Sequence, residues 1–226
     1  LLEISEIVRQ REPLPATPLY LEPIPPPPPP RHREHGRWRA HIAGMRGLAP
    51  GAAATLLIRA GRVMGFDARL VHQPDRLSPG MGAWAQILFT RPARAGGTDT
   101  LVPGTPYGEA DLVLGVDPGE TARALASDEK LRVATPGRTT IIADQKGSTE
   151  ESEAADDDLV ERLTQLAAEA CGTSDDRVDS FVDRVQGQFG NTRLLDVVLL
   201  GVAFQLGLVP VTSEAIEQAI VETEQG

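Results

Sequence analysis

The chain has one cysteine, Cys171, in 226 residues. That excludes an internal disulfide and fits a reducing cytoplasm. Iron–sulfur clusters are held by about four thiolates, so any such cluster has to sit on another chain or domain. Aromatic residues make up only 4%, which leaves Leu, Val, Ile and Ala to build the core. No apolar run reaches the eighteen or so residues of a membrane span, and no charged-then-apolar start marks a secretory signal. A starting Met is also missing, which predicts a processed chain or a piece of a longer one.

What is present is unevenly distributed. The net charge is −10 and the pI about 4.9, yet Arg31 to Arg94 holds eleven Arg against Glu34, Asp67 and Asp75. From Gly147 to Asp183 twelve acids face Arg162 and Arg177. Such blocks read as solvated faces or as surfaces for partners of opposite sign. An acidic whole with no nucleic-acid module argues against a nucleic-acid partner. Leu1 to Glu12 carries Leu1, Ile4, Ile7 and Val8 on one helical face. Pro13 to Pro30 is incompatible with helix or central strand and is expected as a stiff polyproline II tether. Residues 1–36 are therefore assigned as a short helix and Pro-rich linker, and 37–226 as one domain. Within that domain the acidic stretch around 145–158 is an expected disordered insertion, because it has too little apolar surface to bury.

The domain is organised around Arg37 to Thr90. Trp38 to Ala43 is a short apolar run ended by Gly44, which predicts a strand. Gly44-Met45-Arg46-Gly47-Leu48-Ala49-Pro50-Gly51 has glycines where the backbone must turn and a proline suited to a helix's first turn. A helix over 52–64 follows, with Leu56, Ala60 and Val63 on one face and Leu57 and Met64 beside them; Gly65 stops it. Strands are predicted at 68–72 and 83–90, around the loop that carries Ser78, Gly80 and Gly82. Free N–H groups and the dipole at such a helix start favour an anion. The turn nonetheless departs from the dinucleotide fingerprint. Arg46 stands where the second glycine belongs, and the second strand ends in His72 and Gln73 rather than an acid. Arg46 either fills the crevice by pairing with an acid or offers its guanidinium fork to a phosphate.

Further on, Asp111 to Val116 reads as a fully buried strand, and Asp117-Pro118-Gly119-Glu120 opens a helix packed through Ala122, Leu125 and Ala126. A strand is expected around Thr139 to Ala143, a helix from Leu159 to Cys171, and a strand passing into a helix over 177–187. Leu194 to Leu208 is the most apolar helix, with Gly201 at its middle marking a close approach by another element. Ser213 starts a last helix capped by Thr212 or Ser213, with Ala215, Ile216, Ala219 and Ile220 turned inward. This alternation predicts a three-layer α/β/α, Rossmann-like fold with a mostly parallel open sheet, whose binding crevice lies at the strand ends. His32, His35 and His41 lack the companion ligands of a zinc site. His72 reads as a hydrogen-bonded residue at a strand end, so no catalytic residue and no metal ligand is assigned.

Arg33 to Thr90 resembles the opening of the gamma domain of 2-oxoacid:ferredoxin oxidoreductases, most closely the indolepyruvate type. That family has a G-x-G-G-[TQ]-G-type turn and a T-G-L-A-Q-K-x-G-like loop; here Gly44 and Gly47 remain of the first, and Leu77 and Gly82 of the second. Glu109 to Gly115 is similar to its A-D-L-L-L-G strand. Gly201 to Pro210, with Ser213 to Ile220, is similar to its L-G-x-A-x-Q-x-G-L-L-P ending, with Asp196 where the family has Asn. The resemblance implies oxidative decarboxylation of a 2-oxoacid to an acyl-CoA, carried out by an assembly in the cytoplasm. Thiamine diphosphate, magnesium and iron–sulfur clusters would lie on partner subunits or domains, with ferredoxin as the acceptor, and no cofactor would be held catalytically here. Gly44, Arg46, Gly47, Gly51, Ser78, Gly80 and Gly82 are the residues expected to face a phosphate-bearing ligand such as coenzyme A. Two readings stay open beside this one: a domain that only scaffolds its neighbours, and an independent nucleotide-binding oxidoreductase.

Overall fold

The computed structural model describes residues 28–29, 36–44, 51–73, 83–91, 104–129, 132–146 and 157–224. Six strands form one sheet: β1 (Arg37–Ala43), β2 (Asp67–Gln73), β3 (Trp84–Thr90), β4 (Leu112–Gly115), β5 (Thr140–Asp144) and β6 (Arg177–Asp179). Helices α1 (Ala52–Val63), α2 (Pro118–Leu125), α3 (Asp157–Ala170), α4 (Phe181–Phe189), α5 (Leu195–Gln205) and α6 (Ser213–Glu224) complete the described elements. The strand order is β2-β3-β1-β4-β5-β6. β1, β4, β5 and β6 run parallel, while β3 is antiparallel to both β1 and β2. The mostly parallel three-layer α/β/α expectation therefore holds, with β3 interposed between the two strands that α1 connects.

Alternation along each strand sorts the layers. Trp38, Ala40 and Ile42 face the same side as Ala85, Ile87, Phe89, Leu112, Leu114 and Ile142, and meet α1, α4, α5 and α6 in the larger core. The opposite side presents Ala43, Val113, Ile141 and Ala143 to Ala124 and Leu125 of α2 and to Leu163, Ala167 and Ala170 of α3. Trp38 anchors the first core: its ring lies 5.1 Å from that of Phe89, and its Nε1–H donates to Leu208 O at 3.1 Å.

Three packing expectations need correction. Val63 and Ile220 are exposed rather than turned inward, because a helical stripe gives a direction but not how far the partner surface extends. Gly201 is exposed, and no described atom comes within 4 Å of a Cβ built on it, so no close approach explains it. Residues 1–27, 30–35 and most of the acidic stretch lie outside the described residues, and with them the N-terminal helix, most of the linker, His32 and His35.

Cys171 closes α3 as a small core residue, 1% exposed. Burial pushes its thiol up to about 12. Because the thiolate is the reactive form, Cys171 is expected to resist a thiol reagent such as dithiobisnitrobenzoate in the folded chain. It should react with one equivalent of reagent only in denaturant, which absorbance at 412 nm (roughly where thionitrobenzoate absorbs) would follow.

Candidate functional site

In an open α/β sheet the binding crevice forms where neighbouring parallel strands send their connections to opposite faces. Here that point lies between β1 and β4, since α1 packs on one side of the sheet and α2 on the other. The crevice is tightly closed at its floor. Ala43 O accepts from both Val116 N at 2.8 Å and Asp117 N at 3.1 Å, and Gly44 N donates to Ala83 O at 2.8 Å. Gly44 has φ 86°, and a Cβ on it would stand 2.4 Å from Asp117 Cβ and 2.8 Å from its backbone nitrogen. Glycine is thus required at Gly44 by its neighbour Asp117.

Three helix starts at this end of the sheet, those of α1, α2 and α4, already hold carboxylates. At α1, Asp196 Oδ2 accepts from Ala53 N at 2.9 Å and would lie 3.2 Å from a Cβ on Gly51. At α2, Asp117 Oδ1 accepts from Glu120 N at 2.9 Å. At α4, the fully buried Asp144 accepts through Oδ1 from Val182 N at 2.7 Å. The positive ends that favour a bound phosphate are therefore met by this chain's own anions. Burial holds the Asp196 carboxyl above the ordinary range, while the N–H groups of Ala53, Val197 and Ala52 pull it back down.

Of the residues assigned from sequence, Gly44 and Gly51 flank this crevice, but each is engaged by an aspartate. Arg46, Gly47, Ser78, Gly80 and Gly82 lie outside the described residues, as does Pro50. Asp117 is legible as a helix opener, since Asp-Pro-x-Glu is a start signal. Asp196 is legible only as a departure from the family's Asn, because nothing local to it indicates a partner 143 residues away. Replacing Asp196 with Ala leaves α1 N–H groups without their acceptor and is expected to cost about 1–2 kcal/mol, the usual worth of a helix cap. Asp196→Asn keeps an oxygen acceptor and should cost less; urea unfolding of the two variants separates these outcomes.

Polar chemistry also gathers on the sheet face away from α1. Gln86 Oε1 accepts from Thr105 N at 2.8 Å, so its amide nitrogen is left to donate to His41 Nδ1 at 3.1 Å. The imidazole is thereby neutral with its proton on Nε2. Burial lowers the His41 pKa to about 4, and the Trp84 ring stacks on it at 6.1 Å. A cavity of about 20 Å³ beside these groups is lined also by Glu120 and Arg123 and has room for about one water. Arg39, 4% exposed, donates to Gly104 O and lies 3.5 Å from Glu109. Asp111 accepts from Arg39 N at 2.8 Å and Arg138 Nε at 3.1 Å. These groups satisfy one another and bring no nucleophile to a base. A groove between α2 and α3, lined by Arg123, Arg162 and Leu159 among others, does not reach Gly44 or Gly51. Among the described residues no group of three or more His, Cys, Asp or Glu is arranged to hold a metal. No described helix is long and apolar enough to cross a membrane.

No protein-family model and no curated protein matches the chain. Among solved structures it is similar to the gamma subunit of a keto/oxoacid ferredoxin oxidoreductase from Geobacter sulfurreducens PCA. That likeness has a TM-score of 0.51 at 15% identity and covers 82% of this chain and 85% of the other. It is also similar to pyruvate oxidoreductase subunit PORC from Thermotoga maritima, with a TM-score of 0.46 at 14% identity over 83% and 85% of the two chains. The first likeness supports the α/β/α fold.

Proposed function

We propose that this chain is a gamma-type component of a 2-oxoacid:ferredoxin oxidoreductase, nearest the indolepyruvate type, and that it contributes assembly rather than chemistry. The supporting observation is the fold shared with a solved gamma subunit over most of both chains. The segments that resemble the family in sequence fall on β1, β4, α5 and α6 of that fold, in order. In this reading the thiamine diphosphate, magnesium and iron–sulfur clusters are carried by partner subunits or domains, and ferredoxin takes the electrons of the assembly. This chain's own residues supply a rigid sheet and the helical faces on which partners rest.

A narrower reading, in which the chain only scaffolds, is favoured by the carboxylates of Asp196, Asp117 and Asp144 at the helix starts. A coenzyme A phosphate approaching α1 would have to displace Asp196 from Ala53 N. Anaerobic purification of the chain from its native source, with partners identified and their cofactors assayed, tests the assembly. Co-purification with a thiamine- and iron–sulfur-containing protein is the expected result. A chain that came out alone and cofactor-free would overturn it. Titration of the purified assembly's gamma component with coenzyme A then tests the narrower reading, which saturable binding at the α1 start would overturn.

A further inference from the structure

Pro28 and Pro29 lie against the turn that follows α5. A Cβ built on Gly207 would come within 2.9 Å of Pro28 Cγ, 3.2 Å of Pro28 O and 3.3 Å of Pro29 O. Gly207 is buried although it sits in a turn, while both prolines keep an exposed side. The turn itself is firmly held. Gly207, at φ 70°, donates to Phe204 O at 2.9 Å, and Leu208 N donates to Ala203 O at 2.9 Å, which closes α5. From its other side Leu208 O accepts from Trp38 Nε1.

Polyproline carbonyls have no hydrogen bonds within their own helix. A glycine Cα, with no side chain in the way, lets such carbonyls come close enough for weak C–H···O contacts. We propose that the turn Leu206–Leu208 is a docking site for polyproline, occupied in cis by Pro28–Pro29. It holds Pro28–Pro29 beside the end of α5. The Trp38 bond sets the start of β1 beside this turn. Six residues separate Pro29 from Gly36, a reach of about 25 Å at most. So short a connection gives the strap an effective concentration on the order of millimolar, enough to hold a small contact that free peptide would occupy weakly. The chain's own prolines are therefore favoured over those of a second copy. This inference does not depend on the proposed oxidoreductase role.

The test uses the full chain, isotope-labelled for amide spectra, with a nitroxide on Pro27→Cys; buried Cys171 does not compete for the label. The expected result is loss of the Gly207 and Leu208 amide signals relative to the reduced sample, while those of Leu163 and Ala167 on the opposite face persist. The double substitution Pro28→Gly and Pro29→Gly, which leaves the domain untouched, should restore the lost signals. Signals that survive in the labelled chain, or are lost equally in the double variant, would overturn the proposal. So would loss seen only when isotope-labelled chains are mixed with separate nitroxide-labelled copies, since the strap would then dock in trans.

Discussion

Gly44→Ala is expected to lower the unfolding free energy by about 2–4 kcal/mol, the sum of a positive-φ penalty and an overpacking cost. The left-handed φ of 86° alone disfavours a Cβ, and the methyl would arrive 2.4 Å from Asp117 Cβ and 2.8 Å from its nitrogen. Asp117 has little freedom to retreat, because its N–H is tied to Ala43 O and its carboxylate to Glu120 N. The measurement is the urea midpoint at unchanged slope, which reports stability rather than altered compactness. The same loss is expected with and without added coenzyme A, since the glycine serves a protein contact. A change below about 0.5 kcal/mol, the level of an ordinary surface substitution, would mean that the β1–β4 floor gives way.

Acid is expected to weaken the fold through His41. Its ordinary pKa of 6.5 falls to about 4 in the folded chain, by burial. Below about pH 6.5 the unfolded chain therefore binds a proton that the folded chain refuses. The stability associated with neutral His41 is complete above that pH and lost as pH falls toward 4, amounting to about 3 kcal/mol over the window. Gln86 and Trp84 of β3 and Glu120 and Arg123 of α2 face the ring or its cavity, and none of them supplies a carboxylate bonded to it. Asp196 acts in the opposite sense: a raised carboxyl pKa makes stability fall as pH rises above the ordinary aspartate range. Comparison with His41→Asn isolates the histidine. Urea titrations at pH 7.5 and 5 (chosen to bracket roughly the ordinary histidine pKa) should show a steeper loss in the native chain than in the variant. Parallel losses in the two would show that His41 accepts a proton without leaving its place.

Most elements were legible in the sequence because their signals are local. The Gly44 stop, the apolar runs of β4 and α5, the Asp117 cap and the stripe of α6 each depend on residues within a turn or two of one another. The long-range acidic caps, Asp196 and Asp144, were not legible. Asp196 meets Ala53 across 143 residues, and only close packing of α1 against α5 brings them together. The buried His41–Gln86 pair spans 45 residues and exists because β3 pairs antiparallel with β1.

The sequence by itself determined the layer count, the alternation of strand and helix, the missing cluster ligands and the small-residue core, since composition and periodicity act along the chain. Tertiary structure alone decided that β3 enters between β1 and β2, that Gly44 serves Asp117, and that the anion at the α1 start is the chain's own carboxylate. Each of these depends on which distant segments share one volume, and a helix dipole attracts whatever anion the packing brings to it, from solution or from the protein itself.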